Sequence, residues 1–168
     1  MELLNVKPFQ ETLNSGMCGP ASLKMVLSYY GVEKTEQELA RLCQTDTGLG
    51  TNAASLKRAA ESLGFNVEIK NQSTFNDVQK WLDKKVPVIA NWFSRGRTDY
   101  DDSSVADGHY SPVVGLDEQY IYLQDPEIGG LRKIARDDFL RVWFDFTGPY
   151  IRSLDEVLLR PLIAVCPK

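Results

Sequence analysis

From Cys18 to Tyr30 apolar residues recur at helical spacing: Leu23, Val26, Leu27 and Tyr30, with Met25 beside them. Gly31 then supplies a helix stop. Residues 1–17 before this helix read as an extended lead-in and a loop. A second helix starts at Thr35, with Glu38 at the capping-box spacing and Leu39, Leu42 and Cys43 on its apolar face. A third runs through "NAASLKRAAESLG", capped by Thr51 or Asn52 and stopped at Gly64. "FNVEI" alternates as a strand does. "TFNDVQKWLDKK" is again helical, with Phe75, Val78, Trp81 and Leu82 on one face.

The second half changes period. "VPVIANWF" is a continuous apolar run rich in β-branched residues, a buried strand. A polar, acidic loop covers Ser94–Gly108. "HYSPVVGL" and "YIYLQD" flank "DEQ" and predict a hairpin. "LRKIA" reads as a short strand, "RDDFLRVWFDF" as a helix, and "VLLRPLIAVC" as one closing strand. Helices first and antiparallel strands afterwards predict an α+β fold. With no repeat and no linker, residues 1–168 read as a single domain.

Composition narrows the function classes. The chain is 43% apolar and 25% charged, ordinary for a globular domain, and its net charge is −4. The basic runs, Lys84-Lys85 and Arg132-Lys133, are too short for a nucleic-acid surface. No apolar run approaches the ~20 residues of a membrane span. "MELLNVKPFQ" lacks the pattern of a signal peptide, so a cytoplasmic location is expected. Three widely spaced cysteines without CxxC argue against a disulfide framework and against a cysteine zinc site. Asp99 and Asp101 begin a D-x-D-x-S run, but the Gly and Glu of a calcium loop are absent. No metal and no cofactor is expected.

Two residues carry candidate chemistry. Cys18 stands at the mouth of its helix, where unpaired N–H groups favour a thiolate and offer an oxyanion site. Gly19 beside it lets a carbonyl approach the backbone, and Pro20 suits a first-turn position. Packing as a small hydrophobe is the competing reading. Cys43, at a helix C-terminus, and Cys166, in the closing strand, read as inert. His109 is the one histidine in the chain, so any neutral-pH imidazole chemistry falls to it. If the hairpin pairs symmetrically about Asp117, His109 faces Asp125 with Cβ atoms ~5 Å apart, and a one-residue slip separates them. Asp125 also reads as a turn residue before Pro126.

"CGPASLKMVLSYYG", "GHYSPVVG" and "LQDP", in this order, resemble the C39-like cysteine peptidases of the papain-like superfamily. Gly50-Thr51 before a helix and "VPVIANW" before the histidine strand match the same order, and the resemblance runs from Gln10 to Phe146. It implies a papain-like fold, with the nucleophile's helix packed on a C-terminal antiparallel sheet. It implies Cys18 as nucleophile, His109 as general base then acid, Asp125 as the residue orienting His109, and Gln10 as oxyanion donor. Gln10 lies eight residues before Cys18, two more than the family's spacing, and the family position falls on Thr12. Either the "ETLNSGM" loop bulges, or Asn14 donates instead. Gly19, Gly108 and Trp92 are substrate-binding candidates, with Trp92 and Phe93 read as cleft or core.

The implied reaction is hydrolysis of a peptide or protein substrate through a thioester. The Ser94–Gly108 loop is expected to flank the cleft as a lid. Its acids, Asp99, Asp101, Asp102 and Asp107, favour basic substrates or are simply solvated. Members fused to ABC transporters cleave after a double glycine. Without a membrane span or GxxxxGK[ST] motif, this chain reads as a freestanding member that does not inherit that specificity. A catalytically silent peptide-binding module and an amidase or acyltransferase are the alternatives.

Overall fold

The computed structural model describes residues 2–94, 108–147 and 151–168. Helices α1 (Cys18–Tyr29), α2 (Glu36–Cys43) and α3 (Ala53–Ser62) come first. The start of α2 is set by the expected box: Thr35 accepts from the Glu38 N–H, and the Glu38 carboxylate accepts from the Thr35 N–H. Asn52, not Thr51, caps α3, accepting from the Ser55 N–H at 2.9 Å. Thr51 is buried and bonds Thr45 at 2.7 Å. Strand β1 (Phe65–Lys70) leads to α4 (Phe75–Asp83), whose start carries a second reciprocal box between Thr74 and Asp77.

Strands β2 (Val88–Phe93), β3 (Gly108–Leu116), β4 (Tyr120–Asp125) and β5 (Gly130–Ala135) follow, then α5 (Arg136–Val142), β6 (Phe144–Phe146), β7 (Val157–Leu159) and β8 (Leu162–Pro167). Six strands form one antiparallel sheet in the order β1-β8-β2-β3-β4-β5, and β6 pairs with β7. The organisation is α+β, as expected. Alternation assigns β2 to two apolar layers. Ile89 joins Leu23, Leu27, Leu39 and Leu56 of α1–α3, and Val88, Ala90 and Trp92 join Val113, Ile121 and Phe139. Burial on both faces is why this strand reads as an unbroken apolar run.

Two expected elements differ. The 136–146 segment is not one helix: α5 stops at Val142, and Phe144–Phe146 is strand β6. Trp143 is held at the break by its indole N–H on the Pro161 carbonyl at 3.1 Å and by its own carbonyl, which accepts from Arg160 N–H at 2.9 Å. Phe144 then stacks on Phe93 at 5.0 Å, with Phe146 at 6.1 Å from the same ring. The closing strand also divides. Arg160 takes φ +47, and Pro161 has no N–H for a ladder, so β7 and β8 enter different sheets.

Candidate active site

The hairpin geometry depends on one extra residue. Leu116 pairs with Ile121 and Gly115 with Tyr122, but beyond a bulge Val113 pairs with Leu123. Without the bulge, the first register would carry Pro112 opposite Asp125 and leave His109 on the other face. With it, Ser111 comes opposite Asp125, and His109 is the diagonal neighbour on the same face. The expected register, symmetric about Asp117, is therefore not the observed one, and the two side chains meet diagonally. His109 Nε2 lies 2.7 Å from Asp125 Oδ1, with His109 1% and Asp125 0% exposed.

Cys18 is the first residue of α1. Ser22, one turn on and on the same helix face, donates its hydroxyl to the Tyr110 carbonyl at 3.0 Å, docking α1 on β3 beside the histidine. The Cys18 thiol lies close enough to the His109 ring to help raise its pKa. With Nε2 on Asp125, Nδ1 is the nitrogen that serves the thiol. Unlike α2, α3 and α4, α1 has no side-chain cap: Met17 occupies the N-cap. The lead-in turn uses left-handed backbone at Asn14 and Gly16. A Cβ at Gly16 would lie 2.8 Å from the Asp46 carbonyl and 2.9 Å from Gly50 Cα. Gly16→Ala is expected to destabilise the fold by about 1–3 kcal/mol in chemical denaturation, from backbone strain plus this clash.

Charge surrounds the ring. Burial alone would lower the His109 pKa, but the Asp125 carboxylate, the hydrogen bond to it and the Cys18 contact raise it well above the ordinary value. Burial works against ionisation of Asp125 too, yet His109 and Arg132 bring it down to about 2. Arg132 was not legible as a site residue. Its Nε donates to Asp125 Oδ2 at 2.5 Å, while Asp125 Oδ1 also accepts from the Glu127 N–H at 3.0 Å. Arg132 Nη2 lies 3.8 Å from Glu127 Oε2.

His109, Asp125 and Glu127 each bring a possible metal-ligand atom within 4.8 Å of the others, the one such group among the described residues. Both Asp125 oxygens are already engaged by His109, the Glu127 N–H and Arg132, and a metal ion would meet that guanidinium. The donor set fits a charge-paired network better than a metal centre.

The other candidates are placed as follows. Trp92 is fully buried; its ring packs edge-on against His109 at 5.5 Å, and its N–H reaches Ser111 Oγ at 3.1 Å. Its surface goes to the imidazole rather than to an open cleft. A Cβ at Gly19 would stand 3.0 Å from Thr51 Cβ, so this glycine lets α1 meet the α3 entry. A Cβ at Gly108 would stand 2.6 Å from the Asp145 carboxylate. Gln10 is exposed, and its amide donates to the Glu127 carbonyl at 3.1 Å. Residues 95–107 of the expected lid, with Asp99, Asp101, Asp102 and Asp107, lie outside the described residues.

The model of the Peptidase_C39 like family matches residues 3–150. The chain belongs to that family. This C39-like domain is 34% identical over 132 residues to the transport/processing ATP-binding protein ComA of Streptococcus pneumoniae, covering 77% of the chain but 17% of that protein. It thus spans under a fifth of such transporters. An uncharacterised protein of Methanothermobacter marburgensis is 34% identical over 154 residues, 88% of this chain and 93% of that one. The crystal structure of the Streptococcus ComA peptidase domain superposes with a TM-score of 0.71 at 20% identity, covering 98% and 100% of the two chains. A double glycine motif protease from an AMS/PCAT transporter, solved with its leader peptide, gives 0.68 at 21% identity, covering 99% and 94%. Among the described residues no helix is long and apolar enough to cross a membrane.

Proposed function

We propose that this C39-like domain hydrolyses peptide bonds with Cys18 as nucleophile, His109 as proton carrier and Asp125 as the residue that orients it. The observation that carries the reading is the buried His109–Asp125 hydrogen bond, 2.7 Å long, with Cys18 on the same ring. Cys18 Sγ bonds to the substrate carbonyl carbon, and the oxyanion forms beside the first-turn N–H groups of α1. His109 gives its proton to the leaving amine as the C–N bond breaks, leaving a thioester. Water, deprotonated by His109, attacks that thioester and releases Cys18. Gln10 serves as the second oxyanion donor once its amide releases the Glu127 carbonyl. That engaged amide is also what favours the second reading, a peptide-binding module without turnover.

The substrate class is a peptide, in keeping with the leader peptide held by one structural relative. The double-glycine preference of that relative is not carried over. Three free cysteines suit a reducing compartment such as the cytoplasm.

Alkylation by iodoacetamide, mapped by mass spectrometry, tests the nucleophile. Burial pushes the Cys43 thiol up to about 12, so it should stay inert. Cys18 is only 7% exposed, yet at about pH 6 it should react ahead of the partly exposed Cys166. His109→Ala should remove that preference. Equal, slow labelling of Cys18 in both proteins would overturn the reading. Turnover of a peptide library by wild type, absent in Cys18→Ala, separates hydrolase from binding module.

A further inference from the structure

The loop that carries Gln10 is gripped by an acid from another element. Glu36 is the first residue of α2, where the helix N-terminus favours its charge, and it is 3% exposed. Acids are almost never buried so deeply unless paired. Both oxygens of this one go to Thr12: Oε1 accepts from the Thr12 N–H at 2.9 Å, and Oε2 from its hydroxyl at 2.7 Å. The Thr12 carbonyl accepts from the Ser15 hydroxyl. All three polar groups of Thr12 are therefore engaged, and both of its donors go to Glu36 rather than to an oxyanion.

Two residues earlier the same loop lies on the turn beyond Asp125. The Glu11 N–H donates to the Pro126 carbonyl at 2.8 Å, and the Gln10 amide to the Glu127 carbonyl at 3.1 Å. Gly129, at φ +61, leaves room for this contact, since a Cβ there would stand 2.7 Å from Gln10 Cβ. The Glu127 N–H donates to Asp125 Oδ1 at 3.0 Å. One short turn thus touches both the candidate oxyanion donor and the acid that orients the histidine. The family's spacing points to Thr12 as the donor. The grip of Glu36 removes Thr12 from that role and fixes the chain two residues after Gln10.

We infer that Glu36 is a further positioning residue: by holding Thr12 through two hydrogen bonds it absorbs the two extra residues of the loop and keeps Gln10 at the turn beside Asp125. The inference rests on the proposed peptidase reading and acts through Gln10; Glu36 itself touches no reacting atom.

Amide hydrogen exchange followed by NMR tests the grip without turnover. In Glu36→Ala the Thr12 and Glu11 N–H groups should exchange roughly tenfold faster or more, with the α1 and α3 amides unchanged. The Gln10 side-chain amide resonances should move to free-solvent values. Glu36→Gln should keep the protection, because its carbonyl still accepts from the Thr12 N–H and its amide can donate to the Thr12 hydroxyl. Unchanged exchange in Glu36→Ala would overturn the inference. On a peptide that the wild type cleaves, Glu36→Ala should lower kcat by about 10–100-fold with little change in KM, and Glu36→Gln should retain most of the rate. In a Gln10→Ala background the alanine substitution should lower the rate little further, since the two residues act as a unit. A full additional loss there, or equal losses in the Ala and Gln variants, would overturn the positioning role. Should Glu36→Ala not fold, Thr12→Val removes the hydroxyl bond alone and is read in the same way, with a loss of about 3–10-fold. A wild type that cleaves no peptide would defeat the peptidase reading, and the exchange and Gln10 resonances then decide the grip by themselves.

Discussion

Asp125→Asn is expected to lower peptide turnover by about 10³–10⁴-fold while the protein stays folded. The asparagine keeps the shape of the side chain, and its carbonyl can still accept from Arg132. Its amide then faces His109 Nε2 as a donor. A neutral ring must accept there, which places the ring proton on Nδ1, the nitrogen that serves Cys18. In that tautomer the ring has no lone pair with which to take the thiol proton. The imidazolium also loses the largest of the interactions that raise its pKa. Stability should change in a definite window. Asp125 is depressed in the fold, so its contribution is present above its unfolded value of about 4 and is lost as pH falls toward 2. His109 is raised, so its contribution is complete below about 6.5 and is lost as pH rises through its higher folded value. The two describe one interaction, fully formed between about pH 4 and 6.5. Denaturant midpoints across pH should show this plateau in wild type and lose it in the variant. Turnover within tenfold of wild type would remove Asp125 from the mechanism.

Local signals were readable in the chain, and pairings between distant segments were only partly so. The Thr35–Glu38 box and the apolar period after Cys18 are short-range features, and each element forms as expected. The histidine strand and the aspartate at the hairpin's end could also be found, because a hairpin is local. The bulge between Val113 and Gly115 could not. Both faces of β3 are buried, so its hydrophobic pattern carries no mark of the residue that switches faces. The break after Val142 was hidden for a similar reason. Trp143, Phe144 and Phe146 suit a helix or a strand, and the choice is made by Phe93 and Pro161, which are remote in sequence. Glu11 and Arg132 look like surface charges in the chain. Only the turn at 125–127, which Glu11 meets through its backbone and Arg132 through its guanidinium, makes them neighbours of the site.

Removing that guanidinium should have the largest effect on stability. Arg132→Ala leaves Asp125 fully buried with His109 as its one remaining charged partner among the described residues. Breaking a buried pair from one side costs more than the pair contributes, because the survivor keeps its desolvation penalty. The surviving histidine places the loss near the lower end of the usual range, at about 3 kcal/mol. For a chain of this length that corresponds to a Tm drop of roughly 6–12 °C. Arg132→Lys should recover only part of it, since an ammonium supplies the charge but not the planar N–H that meets Oδ2. The signature that separates a charge effect from lost packing is its pH dependence. As pH falls toward 2 and Asp125 becomes protonated in both proteins, the penalty for leaving it unpaired disappears, and the two should converge in stability. A deficit that persists unchanged into acid would mean that Arg132 acts through its aliphatic stem. The kinetic consequence follows from the same geometry. With Oδ2 released, the carboxylate can rotate away from the Nε2 line, and the imidazole loses the fixed partner that holds Nδ1 toward Cys18.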